Sequence, residues 1–365
     1  MDLRILKEKI VHTESIYIYG AGVVAYGIYK ALYETYGVSP RAFLVSERNQ
    51  NEREIEQIPV LGIGEAYPRC SKSLVIVATP EIYHKSIRQT LSDYKIYETV
   101  FVDSHLEFVI MSEYYKIRGG FMILDTNDNK QKLLAETSCD IKIYMAKSHF
   151  DKALESKVDI PEWVIPIQVG KVLTEQKIAE ISDDMGENIS IKNRDYSELT
   201  ATYWVWKNVK SDYKGICHYR RQLLFTEEDL VWIKENDIDV VLPLPFVCYP
   251  NAKGQYGRYI LKEDQDILFQ ALKEQSEEYA KAAEMILQQP YLYNYNMLLA
   301  KEMVYDAYCE WMFPILFRAE EIRVEKKGCL NDRFAGYFGE ILTALYFLKN
   351  KDKYKIVHAE KKWFI

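Results

Sequence analysis

The sequence predicts an α/β protein built as two domains, and three observations carry that expectation. The chain has 365 residues, more than the roughly 100–200 that one hydrophobic core usually serves. Residues 1–120 alternate short apolar runs with helical periods, the pattern of a parallel sheet wound with helices. Beyond residue 140, apolar strands end abruptly in cationic or polar residues, and in an open α/β sheet that end is where ligands sit. The expected division is a Rossmann-like, doubly wound parallel sheet over 1–120, a connection over 121–139, and a second α/β domain over 140–365.

Composition narrows the function classes. Hydrophobic residues make up 48% and charged residues 28% of the chain, ordinary for a globular protein. A formal net charge of −7 argues against a general nucleic-acid binder, which needs a basic face to neutralise phosphates. Aromatics reach 13%, with 29 Tyr, a content shared by glycan-gripping proteins and by large cores. The six cysteines, Cys70, Cys139, Cys217, Cys248, Cys309 and Cys329, form no CxxC pair, so reduced thiols in a cytoplasmic protein are expected. The opening MDLRILKEKIVHTES is charged throughout, unlike a signal peptide. No apolar run is long enough for a transmembrane helix.

In the first domain, Ser15–Tyr19 reads as a buried strand that Gly20–Ala21–Gly22–Val23–Val24–Ala25 turns into a helix ending at Tyr36. This is G-x-G-x-x-A in a strand–turn–helix setting. Gly20, Gly22 and Ala25 would admit a nucleotide or sugar-nucleotide phosphate at the helix start, and Glu47, after the strand Arg41–Val45, would reach a ribose. The same glycines equally serve tight packing in a scaffold domain. The strand Leu74–Ala78, the helix Glu81–Leu91 and the strand Thr99–Val102 complete the alternation. No partner domain for nicotinamide chemistry is visible, which disfavours hydride transfer. Gly119–Gly120 and the polar Asp125–Lys130 then punctuate the connection.

The second domain opens on the strand Asp140–Ala146, with Lys147–Ser148–His149 at its end. Trp163–Gly170 is a further apolar segment. The polar loop Asp183–Asn188 precedes a helical period over Tyr196–Asn208, with Ser197 as its expected N-cap. Trp204 and Trp206 fall on different faces of that helix, so at most one could stack on a base. Tyr213–Cys217 is a short strand running into His218–Tyr219–Arg220–Arg221. An imidazole and two guanidiniums there are costly to hold near a core unless something anionic meets them. Asp237–Pro243 reads as a strand, and Pro243, Pro245 and Pro250 keep the next segment extended. Leu261–Gln288 reads as two amphipathic helices broken near Gln275. Tyr291–Leu299 alternates like a half-buried strand, Lys301–Ala319 forms a helix, and Asn331–Leu342 leads into another that runs to Lys349.

NISIKN, ELTATYWVWKN and GICHYRR together resemble the signature of a bacterial family of glycosyltransferases known as domain of unknown function 4422, associated with capsule and exopolysaccharide synthesis. The resemblance spans residues 140–350 and includes Arg333, Gly339 and Glu340-Ile341-Leu342 as a closing motif. It implies a GT-A-like nucleotide-diphospho-sugar transferase domain, and an opening strand that ends in a polar triplet suits that fold. The implied activity moves a hexose, galactose in pyranose or furanose form, from a UDP-sugar to a surface polysaccharide or lipid-linked oligosaccharide. Such a protein would work in the cytoplasm at the inner face of the plasma membrane, touching the membrane peripherally.

This chemistry needs cations for the departing diphosphate, a base for the acceptor hydroxyl and contacts for the nucleoside. His218, Arg220 and Arg221 are the diphosphate candidates, because guanidinium pairs bidentately with phosphate. No D-x-D ends a strand; Asp237-Ile238-Asp239 precedes one. A divalent metal, Mn²⁺ or Mg²⁺, therefore stays open rather than required. The resemblance places Glu340 near the acceptor as general base, with Asp332 second. Asn188, Lys192, Asn193, Glu198 and Lys207 would line the nucleotide pocket, with Lys147 and His149 on the opposite lip. Glu198 would serve equally as a helix cap, and His218 equally as a core histidine. A non-catalytic sugar-nucleotide-binding or scaffold subunit of a capsule-assembly complex remains the alternative.

Overall fold

A computed structural model describes residues 3–48, 51–124, 140–154, 159–328 and 332–364. The polar punctuation expected over Asp125–Lys130, the rest of the connection to Cys139, and Cys329 and Asn331 lie outside the described residues. The chain divides into two compact units: Met1–Phe121 with Phe246–Pro250, and Met122–Pro245 with Asn251–Phe364.

The first unit holds β1 (Ile16–Tyr19), β2 (Phe43–Val45), β3 (Glu54–Ile55), β4 (Ile58–Gly62), β5 (Leu74–Val77) and β6 (Thr99–Phe101) in one sheet of order β3-β4-β2-β1-β5-β6. All neighbours are parallel except the β3–β4 pair. The helices are α1 (Leu3–Val11), α2 (Val23–Tyr36), α3 (Ile63–Cys70), α4 (His84–Asp93) and α5 (Ser104–Arg118). Every residue of β1 is buried, as expected of a central strand covered on both faces. Gly20 has φ +126°, and a Cβ there would stand 2.6 Å from the Ala78 carbonyl. That position is fixed by close packing. Gly22, the N-cap of α2, has open space where a Cβ would sit. Ala25 is buried and Glu47 exposed.

The second unit is built on a ten-stranded mixed sheet. Its strands are β7 (Met122–Ile123), β8 (Ile141–Lys147), β9 (Val164–Gln168), β10 (Ile181–Ser182), β11 (Tyr213–His218), β12 (Arg221–Leu223), β13 (Val240–Pro243), then, past the short β14 (Phe246–Val247) and β15 (Tyr291–Leu292), β16 (Leu298–Lys301), β17 (Ile356–Ala359) and β18 (Lys361–Trp363). The order is β10-β9-β8-β11-β16-β13-β17-β7, with β12 bridging β11 and β18. Strands β10, β9, β8 and β11 are mutually parallel, so their carboxyl ends share one edge. β16 runs antiparallel to both β11 and β13.

Helices α6 (Asn193–Tyr196), α7 (Leu199–Asn208), α8 (Glu227–Glu235), α9 (Ala252–Tyr256), α10 (Lys262–Gln275), α11 (Glu277–Ile286), α12 (Glu302–Lys327) and α13 (Phe334–Lys349) complete the unit. α13 reads FAGYFGEILTALYFLK and is apolar nearly all round, the mark of a helix enclosed by its neighbours. α12 continues past the expected Ala319 and keeps Pro314 inside it. Lys214, in the middle of β11, is fully buried; its Nζ lies 2.7 Å from Asp306 on α12 and donates to the Val209 carbonyl. Pairing makes that buried charge tolerable.

Two expectations need correction. Tyr291–Leu299 is not one strand: Tyr295 and Asn296 have φ of 79° and 48°, which breaks the ladder between β15 and β16. Ser197 does not cap a helix; with φ 51° it forms the turn between α6 and α7, and its Oγ accepts from Arg333 Nε at 3.0 Å. Among the described residues Cys70, Cys217, Cys248 and Cys309 are buried free thiols, and no helix is long and apolar enough to cross a membrane.

Candidate functional site

The parallel register sets Ala146 beside His218, and Lys147 beside Gln168. The chain therefore leaves three adjacent strands at one level, as Val169, as Ser148–Asp151 and as Tyr219–Arg220. These ends, the α6–α7 junction and the residue preceding α13 enclose a cleft of about 660 Å³. Among the described residues, Arg194, Arg220, Arg221 and Arg333 line it, with His149 and His218 and the two carboxylates Asp151 and Glu198.

Each cation is held by a different local device. β11 and β12 form a tight hairpin in which His218 pairs with Arg221, so Tyr219 and Arg220 occupy the turn. β12 pairs in turn with β18, placing Arg221 opposite Trp363. The Arg221 guanidinium lies 3.8 Å from the Trp363 ring centroid and 4.3 Å from that of Tyr295, a stacking that fixes the planar fork. Burial lowers the affinity of Arg221 for its proton, and the neighbouring Glu198 and Glu340 oppose that shift. Arg333 sits at φ 64° before α13. The Nε atoms of Arg220 and Arg221, Nε2 of His218 and Nδ1 of His149 are buried without hydrogen-bond partners among the described residues. Buried polar atoms are normally paired, so these four are exceptions, and all belong to residues that line the one cleft.

His218 is held below its ordinary pKa first by burial; Glu198 pulls it up, while Arg221 and Arg333 push it down. Burial thus favours its neutral form. Asp151 is pushed above the usual carboxylate range by burial, against the Ser148 N–H and the nearby Arg220, Lys147 and Arg333. The Ser148 N–H donates to Asp151 Oδ2 at 2.7 Å. That turn carries Phe150, 78% exposed at the cleft edge, with its ring centroid 3.8 Å from that of His149.

A buried carboxylate organises the floor. Asp183, with 0% exposure, accepts from the N–H groups of Gly170 (2.9 Å) and Lys171 (3.2 Å) and from the hydroxyls of Ser190 (2.5 Å) and Thr200 (2.6 Å). It thereby ties the end of β9 to the start of α7. Gly170, at φ +63°, leaves no space for a Cβ, which would meet Asn193 Oδ1 at 2.6 Å. Asn193 spends its amide on the Ser197 carbonyl and the Thr200 hydroxyl.

Behind the lining, Glu340 accepts the Tyr295 N–H at 2.9 Å, and Glu198 accepts from Asn296 Nδ2 at 2.8 Å. Burial pushes Glu340 up to about 7; the Tyr295 N–H lowers it, Glu198 raises it, and Arg221 and Arg333 lower it.

Of the residues singled out from sequence, the structure brings together His149, Asn193, Glu198, His218, Arg220 and Arg221 on the cleft. Lys147 lies close enough to act on Asp151, and Glu340 adjoins Glu198 and Arg221. Four candidates are engaged elsewhere. Lys192 pairs with Glu320 at 2.7 Å. Lys207 lies over the Trp206 ring and near Glu187. Asn188 ties its own loop through the Asp184 and Gly186 carbonyls. Asp332, exposed, pairs with Arg323. Trp204 donates to the Met185 carbonyl and Trp206 stacks on Phe313. Asp237 and Asp239 both pair with Lys301. Sequence reasoning missed Asp151 and Arg194 as cleft residues and named Arg333 only within the closing motif, without a site role; for Arg194 and Arg333 the signal was a cation next to a helix start.

Residues 142–351 match a family model described as "Domain of unknown function (DUF4422)", a span that contains every residue of the cleft. No curated protein matches the chain. The chain is similar to the solved apo structure of WbbM, a bifunctional glycosyltransferase, with 25% sequence identity and a TM-score of 0.52. The likeness covers 61% of this chain and 45% of that one, so the chain matches less than half the length of that protein.

Proposed function

This chain belongs to the family described as Domain of unknown function (DUF4422), and we propose that it moves a hexose from a UDP-sugar to a surface polysaccharide or lipid-linked oligosaccharide. In this reading the first unit is Rossmann-like, the second is GT-A-like, and the protein acts at the inner face of the plasma membrane. Galactose, as pyranose or furanose, is the proposed sugar. The observation that carries the reading is the convergence of Arg194, Arg220, Arg221 and Arg333 on one cleft at the carboxyl ends of the parallel strands. The similarity to WbbM supports the reaction class.

The arginines meet the two phosphate groups of the diphosphate, because charge-assisted and bidentate contacts are the strong ones. They gain most as the bond between the anomeric carbon and the diphosphate oxygen breaks and its electron pair passes to the leaving group. The acceptor oxygen forms the new bond to that carbon and gives up its proton. Glu340, pushed up to about 7, has the proton affinity a general base needs near neutral pH, and it lies behind the lining, within electrostatic reach of the cleft residue Glu198. Asp332, bound to Arg323, takes no part. Among the described residues, two carboxylates beside four guanidiniums form a poor donor set for a divalent cation, which prefers several hard oxygen ligands. No step of this reading passes through a metal.

The test is release of UDP from UDP-galactopyranose and UDP-galactofuranose, with Arg220→Ala and Glu340→Ala as controls. Release by the wild type that is lost in both variants is the expected result. UDP-sugar binding without release, unchanged by either substitution, would instead make the chain a binding subunit.

A further inference from the structure

The YNYNM segment at 293–297 separates β15 from β16, two strands that belong to different sheets. Tyr295 and Asn296 both adopt left-handed backbone, an uncommon state for residues other than glycine. Asn296 is 2% exposed. Its amide donates to Glu198 Oε1 at 2.8 Å and to the Gly336 carbonyl at 3.0 Å, and its Oδ1 accepts from the Thr343 hydroxyl at 3.4 Å. The contacts to Gly336 and Thr343, together with Glu340, come from one face of α13. Gly339, on the same face, is the gap that admits Asn296, since a Cβ there would stand 2.9 Å from Asn296 Oδ1. The adjoining Tyr295 N–H holds Glu340. One strained dipeptide therefore grips two carboxylates from different elements.

We propose that Asn296 is a positioning residue that pins Glu198 beside Glu340, so that the pair, and not Glu340 alone, takes the acceptor's proton. The inference rests on the transfer reading above for its chemistry, while its geometry stands independently. The charged groups facing Glu340 are Glu198 from the α6–α7 turn, Arg221 from β12 and Arg333 from the start of α13. Glu198 is the only one of these that raises its proton affinity. If Asn296 released Glu198, that carboxylate would turn to the arginines, and Glu340 would lose its proton at lower pH.

The experiment follows Glu340 directly, by carbon NMR of protein labelled at glutamate carboxyls, the signal being identified by its loss in Glu340→Gln. The pH profile of UDP release is measured in parallel. Asn296→Gly removes the amide yet tolerates the left-handed backbone, and Glu198→Gln removes the charge while keeping an oxygen for Asn296. Both should move the Glu340 titration, and the acidic limb of kcat/KM, down by roughly one pH unit. Lowered stability with the titration in place would overturn the proposal. Should Asn296→Gly fail to fold, an unmoved titration in Glu198→Gln overturns it alone. A titration that moves in protein releasing no UDP leaves the positioning intact and refutes the transfer reading.

Discussion

Asp183 offers the sharpest test of how the cleft is held. Substituting alanine removes the acceptor of four hydrogen bonds at a fully buried site. The two hydroxyl donors can adapt, since Thr200 Oγ1 already lies 3.2 Å from the Ser197 carbonyl. The N–H groups of Gly170 and Lys171 cannot turn away, and each buried orphan costs about 1–3 kcal/mol. Relief from burying a charge offsets part of that loss. The net expectation for Asp183→Ala is a destabilisation of about 3–5 kcal/mol, a large share of a domain's total, with roughly half that for Asp183→Asn. Urea unfolding measures it through the transition midpoint. Asp184→Ala, one residue on and exposed, is the control and should stay within about 0.5 kcal/mol. The affinity for UDP should also fall in Asp183→Ala, because Val169, Leu173 and Asn193 lose their common anchor without any lining side chain having changed. A loss below about 1 kcal/mol, or equal losses for alanine and asparagine, would refute the role given to the carboxylate.

Three further expectations come from the same geometry. Arg220→Ala and Arg221→Ala should each weaken UDP binding by about tenfold to a hundredfold, as loss of a charge-assisted contact implies; titration calorimetry reads this, and Lys192→Ala, engaged with Glu320, should bind as the wild type does. Glu340, raised from 4.5 to about 7, favours the folded state when protonated, so its contribution is complete below about pH 4.5 and is lost as pH rises through 7. Glu340→Gln should therefore stabilise the protein by up to about 3 kcal/mol at pH 8 and not at pH 4, while ending UDP release; thermal melts at the two pH values decide it. Gly339→Ala gains about 1 kcal/mol in helix propensity but forces a Cβ to 2.8 Å from Leu199 Cδ1 and 2.9 Å from Asn296 Oδ1. Overpacking of that kind costs about 1–3 kcal/mol, so a net loss in denaturant stability is expected, with slower UDP release as Asn296 is displaced.

The features legible in the sequence and those hidden from it divide along one physical line. The alternating elements of the first unit, the strand into His218 and the break at Gln275 all arise from short-range period and local breakers, and all have counterparts in the structure. The HYRR group could be singled out because a strand delivers its last residues to the sheet edge whatever surrounds it. Lys192 and Lys207 look equally cationic in the sequence, yet their direction is set by Glu320, more than a hundred residues away, and by the Trp206 ring. The same limit hid Asp183, which reads as loop polarity until the β9 end, Ser190 and Thr200 converge on it. It also hid Asn296, whose place depends on a gap at Gly339 in a helix not yet formed when the strand is read. Polarity in a loop carries no direction of its own; direction comes from the donors that a distant segment leaves unpaired. Carboxylates and amides in this cleft are therefore best sought by asking which backbone N–H groups and glycine gaps lack an occupant, and that question can be posed only once the parallel strands have fixed the edge.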